Sequence, residues 1–407
     1  MLTGTNRHFF PGDYTVFYFV FKSASSFDAY EVKAKPAYIC EQFRIHGDIL
    51  VYRWIPSGHI NTAYYVAVYN GKEIYQLLVQ RINTYVFRDP VGMMRNIERI
   101  TEHIRAKEPT MEKRRRLHFR HTAERKNYVV LKDGVAVDEK EVDFQDSSVE
   151  FWRVYNFIEY STSFETAEGN PDVLRMSGKA FGKFLRQLED FDAQSLVESI
   201  PHFHDTRKRL DDFFAVVAED PMGRVKDAEA EIEILGANRE FGCTLCEQID
   251  KGLLPIRVTH NDTKTNNVLF DKDTLDPLVI IDLDTCMPGL ACYDFGDTIR
   301  FAACTAEEDH VEGMKLDLDL MRAYTEGYLG EVKGVLTEAE IDSLAVGAAV
   351  ITLELASRFL GDYLVGDKYF RIDYPEQNLR RAQAQLALFR DMMLHMDDMK
   401  NIVKELA

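Results

Sequence analysis

Apolar and polar positions change their period once along the chain. From Tyr38 to about Glu150 they alternate in the manner of strands and turns, with one helical interruption. Residues 64–68 (YYVAV) and 73–82 (EIYQLLVQRI), joined through Asn70-Gly71, read as a hairpin, because Asn and Gly tolerate the positive φ of a tight turn. A helix is expected after Asp89-Pro90, an N-cap followed by proline at the first helical position, with Met94, Ile97, Thr101 and Ile104 at helical spacing. Residues 128–131, Gly134 and residues 150–158 read as further strands and their turn. Beyond Phe157 the period becomes helical: Phe181, Phe184, Leu185 and Leu188 share one face, as do Leu210, Phe213, Phe214 and Val217. Three more helices are expected over 322–329, 338–364 and 376–406. The irregular apolar stripe of the last one (Leu379, Leu386, Phe389, Met393, Met396) suits a core face and not a coiled coil.

The pattern divides the chain into residues 38–157, a small antiparallel-sheet lobe with one main helix, and residues 158–407, a larger and mostly helical lobe. The boundary near 155–160 is a change of period without a flexible tether. Residues 1–37 form an extension of unknown role, in which the apolar block 14–21 reads as an added strand or a loosely attached segment.

Composition narrows the partners. The 407 residues are enough for two sizeable domains, and 46% hydrophobic with 29% charged residues is ordinary for a water-soluble globular chain. A net charge of -18 opposes nucleic acid and anionic lipid, and the basic run at residues 113–116 reads as a solvated face. Six scattered cysteines make no disulfide framework, so a reducing cytoplasm is expected. Cys243 and Cys246 have zinc-like spacing but no second pair to complete four ligands. The longest apolar run, 344–353, is broken by Gly347 and reads as a buried helix, with no membrane partner expected.

The chemistry gathers in residues 258–297, VTHNDTKTNNVLFDKDTLDPLVIIDLDTCMPGLACYDFGD. Phosphoryl transfer needs a hydroxyl placed in line with phosphorus and charge neutralised on the phosphate oxygens. In HNDTKTNN, Asp262 is a natural acceptor of a substrate proton, Lys264 a contact for the transferring phosphate, and Asn267 a neutral oxygen ligand for magnesium. Two short strands then return Asp282, the principal carboxylate ligand expected, with Asp284 second. His260 is read as a structural support of the loop, and Asp294 and Asp297 as caps for a helix start. In the first lobe, nucleotide contacts are expected from Gly58 and Asn61 in the turn at 56–62, Gln80 and Arg81 on the following strand, and Phe157 and Ile158 at the lobe boundary. Protein kinases carry a lysine on that strand; here Gln80 or Arg81 takes its place, with Glu98 as the helix partner.

These motifs resemble those of the N-acetylhexosamine 1-kinases, in the aminoglycoside-phosphotransferase-like superfamily. The likeness runs from about Tyr38 to the C-terminus through GHINTAYYV, QRINTYVF, MMRNIERIT, WRVYNFIEY, HFHDT, RVTHNDTKTNN, IIDLDTCMPG, YDFGDTIRF, RAYTEGYLGE and RFLGDYLVGDKYF. The resemblance implies an α+β, bilobal protein-kinase-like fold and the use of ATP and Mg2+. It also implies transfer of the γ-phosphate to the anomeric hydroxyl of N-acetylglucosamine or N-acetylgalactosamine. It makes Asp262 the catalytic carboxylate, Asp282 the metal ligand, and Asp262, Phe301, Arg358 and Tyr369 contacts for the sugar. His202, His204 and Asp205 of HFHDT receive no chemical role. The alternatives are a kinase of the same superfamily for an aminoglycoside, choline or homoserine, and a kinase-shaped binding protein without turnover.

Overall fold

The computed structural model describes residues 29–56, 60–167 and 169–407. Gly58 and the apolar block 14–21 lie outside the described residues.

The first lobe is built on α1 (Ala29–Gln42), β1 (Asp48–Ile55), β2 (Thr62–Tyr69), β3 (Ile74–Ile82), α2 (Pro90–Lys107), β4 (Val129–Lys132), β5 (Val135–Val137) and β6 (Val149–Asn156). Its six strands form one antiparallel sheet in the order β1-β2-β3-β6-β4-β5. The hairpin forms where Asn70-Gly71 predicts it: Asn70 Oδ1 accepts the N–H groups of Lys72 and Glu73 at 2.9 Å each, and Gly71 has φ 89°. Asp89 caps α2 by accepting the N–H of Gly92 at 2.8 Å. The two faces of the sheet bury different partners. Val66, Leu77, Val79, Trp152 and Val154 pack on Ile39, Cys40 and Phe43, while Ile82, Val130 and Phe151 join α2 and the main core. The boundary drawn at residue 37 therefore falls inside α1, a helix that covers the outer face of this sheet.

The second lobe contains β7 (Ser161–Thr162), α3 (Pro171–Gln187), α4 (Thr206–Glu219), α5 (Glu229–Ala237), α6 (Arg239–Asp250), β8 (Arg257–Thr259), β9 (Val268–Asp271), β10 (Pro277–Ile280), β11 (Met287–Gly289), α7 (Ala291–Ala302), α8 (Leu318–Val332), α9 (Glu338–Leu364), α10 (Gln377–Leu394) and α11 (Met396–Leu406). The mixed architecture, sheet first and helices after, matches the expected bilobal fold. The last expected helix is two, parted at His395. α9 is long and apolar enough to cross a membrane by length and composition, but 78% of its most apolar 18 residues is buried inside the lobe. It opens on a capping box between Thr337 and Glu340. Glu340 also takes Arg257 Nε at 2.6 Å and Nη2 at 2.8 Å, which ties the start of α9 to β8. α7 and α9 approach closely at Gly296, where a Cβ would lie 2.6 Å from the Cα of Ala348. That contact presses α7 against the rigid centre of the lobe, and α7 carries the side chains that hold the site.

Candidate active site

Two short ribbons bring the polar cluster together. β8 leads into the loop at residues 260–267, β9 and β10 form a hairpin, and β11 pairs back on β8 with Met287 opposite Thr259. Asp282 follows β10 in the left-handed region, φ 59° and ψ 53°, a conformation uncommon for a residue with a Cβ. The loop is anchored from α7. Asp294 Oδ2 accepts the N–H of His260 and Oδ1 that of Asn261, each at 2.7 Å, and Asp297 Oδ2 accepts that of Thr263 at 3.0 Å. These two aspartates lie inside α7 and do not cap its start, so their expected role is corrected. Burial pushes the Asp294 carboxyl up to about 6, against the pull of His260 and the two N–H groups. His260 is itself buried, with Nε2 2.9 Å from the carbonyl of Ile281 and its ring edge-on to Phe181 and Phe184. The support role expected for it matches these contacts.

Within the loop, Lys264 Nζ is 3.3 Å from Asp262 Oδ1. Asn267 donates through Nδ2 to the carbonyl oxygen of Asp262 at 2.9 Å and to its Oδ2 at 3.1 Å, while Asn267 Oδ1 accepts no hydrogen bond among the described residues. Burial alone would raise Asp262, but Lys264, His260 and Asn267 hold it below its ordinary value. Asp282 goes the other way: burial first, then the charges of Asp284 and Asp262, push it up to about 7. Asp282, crowded by two other carboxylates, and the Asn267 amide oxygen in the neighbouring loop offer a donor set for a hard divalent cation, so the residues fit magnesium.

Facing this loop, the first lobe departs from expectation. Asn61 donates through Nδ2 to Asp284 Oδ2 at 2.7 Å, and Asn61 Oδ1 accepts the N–H of Asn83 at 3.0 Å. Asp284 is thus engaged by the first lobe and is not a free second metal ligand. Gln80 stands in the cleft with its Oε1 accepting Arg153 Nε at 2.9 Å, whereas Arg81 points to the α1 side, 3.6 Å from Glu150. Arg81 is therefore no cleft contact: strand alternation puts neighbours on opposite faces. Glu98 meets His121 at 3.3 Å on the surface and is not a partner of β3. Phe157 and Ile158 follow β6 at the crossing between lobes; Phe157 packs edge-on to Tyr65 and is half-exposed, and Ile158 is buried. The residue that the strand pattern concealed is Arg153 of β6, which is 2% exposed and forms an ion pair with Asp284.

Residues 52–331 match the model of the phosphotransferase enzyme family APH, more than half of the chain. The chain belongs to this family. Among solved structures, an ethanolamine kinase of Plasmodium vivax has 12% identity and a TM-score of 0.55 over 86% of each chain. A choline kinase from Cryptosporidium parvum Iowa II has 12% identity and a TM-score of 0.50, over 87% of this chain and 92% of that one. At such identities the likeness is one of fold.

In this phosphotransferase two groups of side chains flank Asp262 on the second lobe. On one side Lys264 Nζ sits 5.7 Å from the centre of the half-buried Phe301 ring. On the other, His204 Nε2 is 3.3 Å from the carbonyl of Asn261 and Nδ1 is 2.8 Å from Glu354 Oε1 on α9. Thr206 donates to the other Glu354 oxygen at 2.5 Å. Asp205 caps α4, and His202 meets Asp205 and Glu198 at the surface. One turn after Glu354, Arg358 lies against three rings, 4.8 Å from Phe203, 5.9 Å from Tyr369 and 5.6 Å from Phe370. Tyr369 is anchored through its N–H to Asp362 at 2.8 Å and leaves its ring half-exposed. Arg358 has no carboxylate partner among the described residues, and neither does Arg209 nearby, whose guanidinium burial and Arg358 destabilise. The sequence placed Arg358 and Tyr369 in one motif. Glu354 and His204 were missed as a pair because 150 residues separate them.

Proposed function

We propose that this phosphotransferase uses ATP and magnesium to phosphorylate the anomeric hydroxyl of N-acetylglucosamine or N-acetylgalactosamine, giving the sugar 1-phosphate. The observation that carries the choice of acceptor is Arg358. A guanidinium without an ion-pair partner among the described residues, framed by Phe203, Tyr369 and Phe370, offers charged donors to hydroxyl or acetyl oxygens and aromatic faces to sugar C–H groups. The same cation repels an ammonium, and the buried carboxylates one turn to either side of it are already committed, Glu354 to His204 and Thr206 and Asp362 to the N–H groups of Tyr369 and Phe370. Choline, ethanolamine and aminoglycosides are therefore disfavoured acceptors on electrostatic grounds.

In this reading Asp262 receives the hydrogen bond of the acceptor hydroxyl, orients its oxygen toward phosphorus and takes its proton. Lys264 offsets charge that grows on the transferring group. Asp282 and Asn267 hold magnesium, which when bound neutralises phosphate oxygens. Asn61 and the crossing at Phe157 and Ile158 hold the nucleotide from the first lobe. Product analysis with ATP and each of N-acetylglucosamine, N-acetylgalactosamine, choline, ethanolamine and homoserine tests the proposal. Formation of an acid-labile sugar 1-phosphate is expected. A 6-phosphate, or turnover of the cationic acceptors alone, would remove it.

A further inference from the structure

Arg153 is costly to bury, and its surroundings account for only part of its guanidinium. Nε donates to Gln80 and Nη1 to Asp284, with Met94 Sδ 3.7 Å from Nη1. The rings of Phe119 and Tyr155 stand 6.0 and 5.9 Å from Cζ. Nη2 has no hydrogen-bond partner among the described residues. A fully buried ion pair is weak as a source of stability, because desolvating two charges cancels most of their attraction. Its geometry here is specific in another way. Arg153 is the register partner of Gln80, so it occupies the cleft face of β6 directly beside the β3 position where a lysine is lacking. Asp284 lies two residues beyond Asp282, and both aspartates act on Arg153 electrostatically.

We propose that Arg153 supplies the first lobe's contact to the nucleotide phosphates, displaced by one strand from β3 to β6, and that Asp284 holds the guanidinium ready and competes with phosphate for it. Gln80 is then a positioning residue: its Oε1 fixes Nε and leaves Nη1 on Asp284, two residues beyond the candidate metal ligand Asp282. The planar fork suits two phosphate oxygens, as an ammonium on β3 would not. The proposal rests on the phosphotransferase reading, but its test separates the two.

Calorimetric titration with ADP and AMP in buffer containing EDTA isolates phosphate recognition from metal. The wild-type chain is expected to bind ADP more tightly than AMP. Arg153→Gln combined with Asp284→Asn keeps a neutral hydrogen-bonding pair in the core and is expected to weaken ADP by about 10-fold or more with AMP nearly unchanged. Asp284→Asn alone is expected to bind ADP as tightly as wild type or tighter, which a merely structural salt bridge does not predict. If the double variant fails to fold, Arg153→Lys serves: loss of the fork is expected to lower the ADP-to-AMP preference several-fold. An unchanged ADP-to-AMP preference in the folded variant, or an equal loss for both nucleotides, overturns the assignment of Arg153. Absence of binding of either nucleotide to the wild-type chain would instead defeat the nucleotide-dependent reading itself.

Discussion

Asp294 Oδ1 accepts the backbone N–H of Asn261 at 2.7 Å across 33 residues of sequence, and its second oxygen takes the neighbouring N–H of His260. One carboxylate thereby fixes two consecutive peptide groups immediately before Asp262. Asp294→Asn keeps the shape but turns an NH2 group toward one of the two N–H donors. A buried donor left without an acceptor costs about 1–3 kcal/mol, and a displacement near 1 Å at a reacting group costs on the order of 100-fold in rate. The expected result is a lower melting temperature together with a fall in kcat that exceeds any change in KM for ATP. A kcat within twofold of wild type would show that Asp294 does not hold the loop in its working geometry.

The approach of α7 to α9 transmits the same requirement through packing. Gly296 has room for no methyl group, since a Cβ would meet Ala348 Cα at 2.6 Å and its nitrogen at 2.7 Å. Gly296→Ala is therefore expected to push the helices apart at a cost of about 1–3 kcal/mol. Urea denaturation followed by circular dichroism measures that loss. An unaltered midpoint would mean that α7 can slide along α9 without cost, contrary to the packing.

Asp282 links stability, pH and metal. Burial and the neighbouring carboxylates push its carboxyl up to about 7, whereas an unfolded aspartate titrates near ~3.9. Because the folded state binds this proton more tightly, the site contributes its full stability at acid pH and loses it as pH rises from about 4 to 7. A cation held by Asp282 relieves that penalty only where the carboxylate is ionised. The thermal shift on adding magnesium with ADP is accordingly expected to be larger at pH 8 than at pH 5.5, and Asp282→Asn is expected to abolish the difference. Equal shifts at both pH values, with nucleotide occupancy matched, would contradict the role of Asp282 as a ligand.

Much of this site was legible because its signals are local. The turn at Asn70-Gly71, the cap at Asp89 and the spacing of Asp262, Asn267 and Asp282 each follow from residues close in sequence. β1 was legible only as the strand that must precede the turn at 56–62, without bounds, because an edge strand with most of both faces open shows little burial pattern of its own. Arg153 was hidden for another reason. In the run FWRVYNF it reads as one polar residue in an apolar strand, and its meaning depends on β6 lying beside β3, a pairing across more than 70 residues. Asp294 and Asp297 have the composition of caps, and only the position of α7 shows that they serve the preceding loop. The break at His395 carries neither glycine nor proline, so a continuous helix was the natural reading of 376–406.

His204 couples the acceptor side to the catalytic loop through a buried charge. Both of its ring nitrogens face acceptors, Glu354 Oε1 and the carbonyl of Asn261. Burial would raise Glu354, but His204, Arg358 and Thr206 hold it below its ordinary value. Its contribution to stability is therefore present above the unfolded value near ~4.3 and is lost as pH falls through the lower folded value. His204→Gln takes one partner from the buried Glu354 carboxylate while Arg358 and Thr206 remain, and breaking a buried pair on one side costs up to about 3–5 kcal/mol. His204→Gln with Glu354→Gln removes the buried carboxylate as well and is expected to recover most of that loss. The gap between wild type and His204→Gln should be widest at neutral pH and narrow in acid, where Glu354 gains a proton in both proteins. In the double variant the link to Asn261 is still altered, so the KM for the acceptor is expected to rise even where stability returns. Chemical denaturation at pH 7 and pH 4 together with acceptor kinetics separates these effects: if the double variant is no more stable than His204→Gln at pH 7, the two residues are not energetically coupled.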